Sequence, residues 1–218
     1  MPLMKMVALS AWIINEMKLD NSDKILKFWN YFGCNKYQIE SIYTMEPKNC
    51  HKEIEKKLQL ISQKIRCEIG PGFEKKYMLE ISPKGSLDLL VLTKEIVRMS
   101  PGFSNWEIYP SIQAKEMYEF TFIDKFGKLY HFDIDEIECS VFPSKDGIQK
   151  EVLLYSKNAP NDESTSVDIG FGILDSFLGE EQVMKKIARV EFINRWYDYM
   201  KYSGSLLDLK GYIDDLVV

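Results

Sequence analysis

The amino-acid sequence predicts an α+β fold: an antiparallel, or partly mixed, β-sheet built from hairpins and packed against several helices, with a helical pair at its N-terminal end. Three observations predict it. Apolar residues recur at helical spacing before residue 63, alternation of period two takes over at Ile65, and Gly- or Pro-bearing turns punctuate the alternating stretch. The chain has 218 residues, 45% hydrophobic and 28% charged, which is enough to bury a core without staples and far from a disordered composition. No low-complexity linker or internal repeat interrupts it. We therefore expect one domain over 1–218, with a helical part at 21–63, a sheet-and-helix core at 65–193 and a C-terminal helix at 205–216.

The elements follow in order. Met6 to Ile14 is apolar but too short to span a bilayer, and it runs into Asn15 and Glu16 without a small-residue cleavage site. Residues 1–16 are an extension if the native start is Met17. Asn21, Ser22 and Asp23 offer an N-cap, and Ile25, Phe28, Trp29 and Phe32 follow at i, i+3, i+4 and i+7, predicting a helix that ends at Gly33. Tyr37 to Met45 fits either a helical extension or an extended connection. A second helix is expected from Pro47 or Lys48 to Gln63, with Ile54, Leu58 and Ile61 inward.

Ile65 to Ile69 and Tyr77 to Ile81 alternate across Gly70-Pro71-Gly72, as a hairpin requires. Ser86 to Met99 reads as a helix stopped by Ser100-Pro101-Gly102, and Trp106 to Tyr109 as a short strand. Tyr118 to Phe122 pairs with Lys128 to Ile134 across Asp124-Lys125-Phe126-Gly127, and Glu138 to Phe142 with Gln149 to Ser156 across Lys145-Asp146-Gly147. Antiparallel pairing is the default for these segments. Asn158 to Ser166 is expected to be a loop, Val167 to Leu178 a helix redirected at Gly179-Glu180-Glu181, and Ile187 to Ile193 the last strand.

The net charge is -5 and only Arg66, Arg98, Arg189 and Arg195 supply guanidinium groups, which argues against a nucleic-acid partner. The four cysteines, Cys34, Cys50, Cys67 and Cys139, lack CxxC spacing and read as reduced thiols of a cytoplasmic protein, and we expect neither a membrane partner nor a cofactor.

Two histidines limit the chemistry. Cys50-His51 falls near a helix start, where adjacent side chains diverge. Alternation places His131 with Leu129 and Asp133 on one strand face, opposite Tyr130, Phe132 and Ile134, so His131 and Asp133 are the catalytic candidates if an aromatic core turns them outward. Asp133, Asp135, Glu136 and Glu138 lack the glycine turn and closing glutamate of a calcium loop, and the spacing of Cys34, Cys50, His51 and Cys67 suits no zinc finger or ribbon. We expect no metal. Gly70-Pro71-Gly72 and Gly170-Phe171-Gly172 fit neither a P-loop nor a dinucleotide turn.

Phe28-Trp29-Asn30-Tyr31-Phe32, Glu68-Ile69-Gly70-Pro71, Glu80-Ile81-Ser82-Pro83-Lys84-Gly85, Ser100-Pro101-Gly102 with Trp106, and Leu174-Asp175-Ser176-Phe177-Leu178-Gly179-Glu180 together resemble the landmarks of a family of uncharacterised bacterial proteins. The resemblance spans most of 23–193 and implies a small cytoplasmic α+β protein with no activity to carry over. Its acidic landmarks Glu68, Glu80 and Glu180 are candidate binding residues. With so little acid–base machinery, the expected function is a non-enzymatic protein-interaction domain, an adaptor or an immunity-type binder. The alternative is a ligand-binding or hydrolytic protein with a cleft near His131 and Asp133.

Overall fold

A computed structural model describes the backbone of residues 3–195 and 204–214 and the side chains of 21–46, 51–195 and 204–213. The fold is α+β with mixed sheets, as expected. In place of the single unit expected, the chain separates into two compact units, Met1–Ser111 and Ile112–Val218. Each has its own buried core, drawn from residues 25–106 in the first and 132–213 in the second.

In the first unit the helical pair is α1, Leu3–Met45, and α2, Pro47–Leu58. The predicted stop at Gly33 is overturned, because α1 runs unbroken through Asn21–Asp23 and Gly33 and takes in Tyr37–Met45. Tertiary packing outweighs local propensity here: Ile25, Phe28, Trp29, Phe32 and Ile39 are all buried on one face of the helix. Strands β1, Arg66–Gly70, and β2, Tyr77–Ser82, form the expected antiparallel hairpin. Helix α3, Leu87–Arg98, then returns the chain to β3, Trp106–Tyr109, which lies parallel to β2. Ser86 caps α3 by accepting the Leu89 amide at 3.4 Å.

One sheet face, carrying Cys67, Tyr77, Leu79, Ile81 and Trp106, packs with the aromatic face of α1. Phe32 meets Trp106 edge-on at 5.0 Å between ring centroids, and Trp106 stacks on Tyr77 at the same distance. The Trp106 indole N–H donates to Glu40 Oε1 at 2.9 Å and that of Trp29 to the Ile96 carbonyl at 2.8 Å, so neither ring is buried at the cost of a lost hydrogen bond.

The second unit opens with a two-stranded ribbon, β4, Glu119–Ile123, and β5, Leu129–Asp133. Strands β6, Glu138–Pro143, and β7, Lys150–Tyr155, make the next hairpin. Helices α4, Glu163–Leu178, and α5, Glu180–Lys186, lead to β8, Ile187–Ile193, parallel to β7. The short β9, Gly204–Ser205, borders β6, and α6, Leu209–Asp214, follows. The expected C-terminal helix beyond Asp214 lies outside the described residues.

Helix α4 starts one turn earlier than the predicted Val167. Asp162 accepts the Thr165 amide at 2.8 Å and its hydroxyl at 2.6 Å, converting part of the expected Asn158–Ser166 loop into a capped first turn. Gly179, at φ 87°, occupies the left-handed region and redirects the chain from α4 into α5. Both units thus contain a hairpin whose second strand, β2 or β7, is antiparallel to the first and, after a helical return, parallel to the next.

Candidate functional site

The ribbon β4–β5 sorts its side chains as the alternation of His131 predicted. Phe120, Phe122, Tyr130 and Phe132 turn inward onto the core of the second unit, so Glu119, Thr121, Ile123, Leu129, His131 and Asp133 share the outward face. Register places Glu119 opposite Asp133, Thr121 opposite His131 and Ile123 opposite Leu129. The face is therefore graded from an acidic end, through a polar middle, to an apolar end capped by Phe126, which is 82% exposed in the connecting turn.

His131 and Asp133 do meet. The His131 Nε2 lies 3.6 Å from Asp133 Oδ1, and its Nδ1 lies 3.4 Å from Thr121 Oγ1. Donor atoms of Glu119, His131 and Asp133 lie within 4.8 Å of one another. All three residues are exposed to solvent, with the His131 side chain 51% exposed and that of Asp133 57%, so no enclosed pocket surrounds the pair.

Glu68 and Glu80 are register partners on β1 and β2, and Glu80 is in turn the register partner of Tyr109 on β3. These residues, with Glu107, occupy the sheet face opposite the aromatic core. Glu68 is exposed, whereas Glu80 is 1% exposed. Glu107 gathers a loop. Its carboxylate accepts the amides of Phe73 at 3.1 Å and of Glu74 and Lys75 at 2.5 Å, together with the Tyr109 hydroxyl at 3.0 Å. The Lys75 amide is the largest cause that lowers its pKa to about 2, against the opposing effect of burial. The Tyr109 hydroxyl is pushed up to about 12, first by burial and then by the hydrogen bond to Glu107.

Glu180 is a fixed structural carboxylate. It is 1% exposed, accepts the Ile112 amide at 3.2 Å, and its own amide donates to the Ile112 carbonyl at 2.9 Å. Together with the Lys115 amide on the Ser176 carbonyl at 2.8 Å, this secures the Ile112–Lys115 segment to the α4–α5 junction. The Gly-rich fragments are likewise matters of close approach. A Cβ at Gly170 would meet Val190 at 2.7 Å, one at Gly172 would meet Phe120 at 2.9 Å, and one at Gly72 would meet the Lys75 carbonyl at 2.4 Å.

The spacing of Cys34, Cys50, His51 and Cys67 concealed one convergence. His51 and Glu55 lie i, i+4 on α2, with Nε2 and Oε2 3.3 Å apart, and β1 brings the buried Cys67 beside them. One donor atom from each residue lies within 4.8 Å of the other two. The i, i+4 pair was visible in the sequence; the sulfur was not, because it arrives only when β1 packs against α2. Cys34 is exposed, and Cys139 is buried with its thiol pushed up to about 12, first by burial and then by the charges of Asp208 and Glu138.

A groove of about 520 Å³ is lined by Lys64, Arg66 and Lys84 together with Ser86 and the carboxylate-bearing Asp88. Among the described residues no helix is long and apolar enough to cross a membrane. Compared with protein-family models, with curated proteins and with solved structures, the chain has no match.

Proposed function

We propose that this chain is a cytoplasmic protein-interaction module, an adaptor or immunity-type binder, that engages its partner through the outward face of the β4–β5 ribbon. One observation carries the proposal. A cross-strand apolar pair, Ile123 at 52% and Leu129 at 61% exposure, lies at the end of the ribbon next to the turn that carries the exposed Phe126, and the other end carries Glu119 and Asp133. Single exposed apolar residues need no explanation, but three exposed apolar side chains at one end of a ribbon already anchored by four inward aromatics make a surface suited to contact. Each strand of the ribbon has one paired neighbour among the described residues, so an extended segment can add along an edge. The partner fitting this face is an extended protein segment with basic residues at one end and apolar residues at the other.

The test is selection of peptides from a display library on the full chain, followed by affinity measurement with wild type and with the double variant Phe126→Ser, Leu129→Ser. Enrichment of basic–apolar segments is expected, with affinity falling at least about tenfold in the variant, since burying each such side chain contributes about 1.5–3 kcal/mol before losses. Enriched segments that bind the variant equally well would remove the reading. The alternative, a ligand-binding or hydrolytic protein, has the His131–Asp133 contact in its favour and their exposure against it. A turnover abolished by His131→Ala would favour that alternative.

A further inference from the structure

We propose that His51, Glu55 and Cys67 of the first unit form a binding site for a divalent zinc-class cation, with a fourth position left for water. The inference begins with the donor atoms. A ring nitrogen, a carboxylate oxygen and a sulfur are the three ligand types of zinc, which takes four of them tetrahedrally at about 2.0–2.3 Å, setting donor atoms about 3.3–3.8 Å apart. His51 Nε2 and Glu55 Oε2 are already at 3.3 Å, and every pair in the trio lies within 4.8 Å. Closing the remaining distance takes about 1 Å of side-chain adjustment at most, on that same geometry.

The surroundings hold the ligands in place. Glu55 Oε1 accepts Gln59 Nε2 at 3.0 Å and lies 3.6 Å from Arg66 Nε, which leaves Oε2 as the oxygen turned to His51. Arg66 is itself fixed by donating to the carbonyls of Gln63 at 2.8 Å and Ile65 at 3.0 Å. Such outer contacts orient a ligating carboxylate as second partners do in known metal sites. Cys67, 1% exposed, sits with its Sγ 3.9 Å from the His51 carbonyl, so the sulfur is shielded from bulk oxidants while the His51 side chain, 38% exposed, leaves a path from water. A thiolate and a carboxylate together carry the two negative charges that a divalent ion neutralises.

The competing explanation is an ordinary i, i+4 ion pair beside a core thiol, and it makes a different prediction. The full chain, stripped of metal with a chelator, is titrated with zinc against a chromophoric competitor and with cobalt for absorption spectroscopy. We expect one equivalent to bind, with a thiolate-to-cobalt charge-transfer band in the near ultraviolet and visible bands of four-coordinate intensity. His51→Ala, at a half-exposed position that leaves the core intact, should lower zinc affinity at least about 100-fold. Gln59→Ala, which only positions Glu55, should lower it about tenfold without abolishing the cobalt band.

His131→Ala, on the exposed ribbon, should leave affinity and spectrum unchanged. Cys67→Ser should remove the charge-transfer band, and circular dichroism checks that it folds. Absence of stoichiometric binding at micromolar zinc, a charge-transfer band that survives Cys67→Ser, or equal affinity in His51→Ala overturns the proposal.

Discussion

Glu107 shows how much one side chain can organise. Three successive amides, at Phe73, Glu74 and Lys75, converge on its carboxylate, and Gly72 sits so close to the Lys75 carbonyl that any side chain there would collide. Because the folded-state pKa is lowered from 4.5 to about 2, the ionised group stabilises the fold above about pH 4.5, and that contribution is lost as pH falls through about 2. Glu107→Gln is therefore expected to be less stable than wild type at pH 7, with most of the difference gone at about pH 2. Denaturant unfolding at both pH values checks it. Sequence alone could not assign this role, since the amides Glu107 serves lie 32 to 34 residues earlier and carry no side-chain signature.

At the scale of elements, two glycines make opposite predictions. Gly33 lies within the unbroken α1, and a Cβ there would touch Phe103 at 3.6 Å, an ordinary contact. Gly33→Ala should stabilise the protein by up to about 1 kcal/mol through helix propensity. Had the helix ended at Gly33 in a left-handed residue, the same change would destabilise it. Gly170 lies where α4 crosses β8, with 2.7 Å to a Val190 methyl for any added Cβ, so Gly170→Ala should cost about 1–3 kcal/mol. Thermal unfolding of the two variants separates the cases by sign.

Period-two alternation made every hairpin legible, because a one-residue slip would turn Phe120, Phe122, Tyr130 and Phe132 out into water. What it could not reveal was direction. The parallel pairings of β2 with β3 and β7 with β8 depend on which way a helix returns the chain, and β9 was too short to leave a pattern. The continuity of α1 was hidden for a different reason: Asn21, Ser22 and Asp23 are good caps in isolation, and only the burial of Ile25, Phe28, Trp29 and Phe32 as one face overrides them.

For the molecule as a whole, the central fact is two buried core clusters that, among the described residues, have no side chain in common. Leu154, fully buried among the residues of the second core, is expected to cost about 2–5 kcal/mol when cut to alanine. Amide exchange should quicken in β6, β7 and α4 and remain protected in β1, β2 and β3, whose core cluster ends at Trp106. The absence of any Pro-, Gly- or Ser-rich stretch at Ser111–Ile112 hid this division, and the same Ile112 that opens the second unit is held by Glu180. The outward face of His131 and Asp133 was legible from alternation, whereas the structural role of Glu180 was not, because its partner is a backbone amide 68 residues away.

The Glu107 anchor also imposes a timetable on synthesis. A nascent chain that has left the ribosome only as far as Arg98 already contains β1, β2 and α3, yet the loop between the two strands still lacks the carboxylate that gathers its amides. Until β3 emerges and docks, those N–H groups must be served by solvent, so the tip of the first hairpin sets after the strands on either side of it.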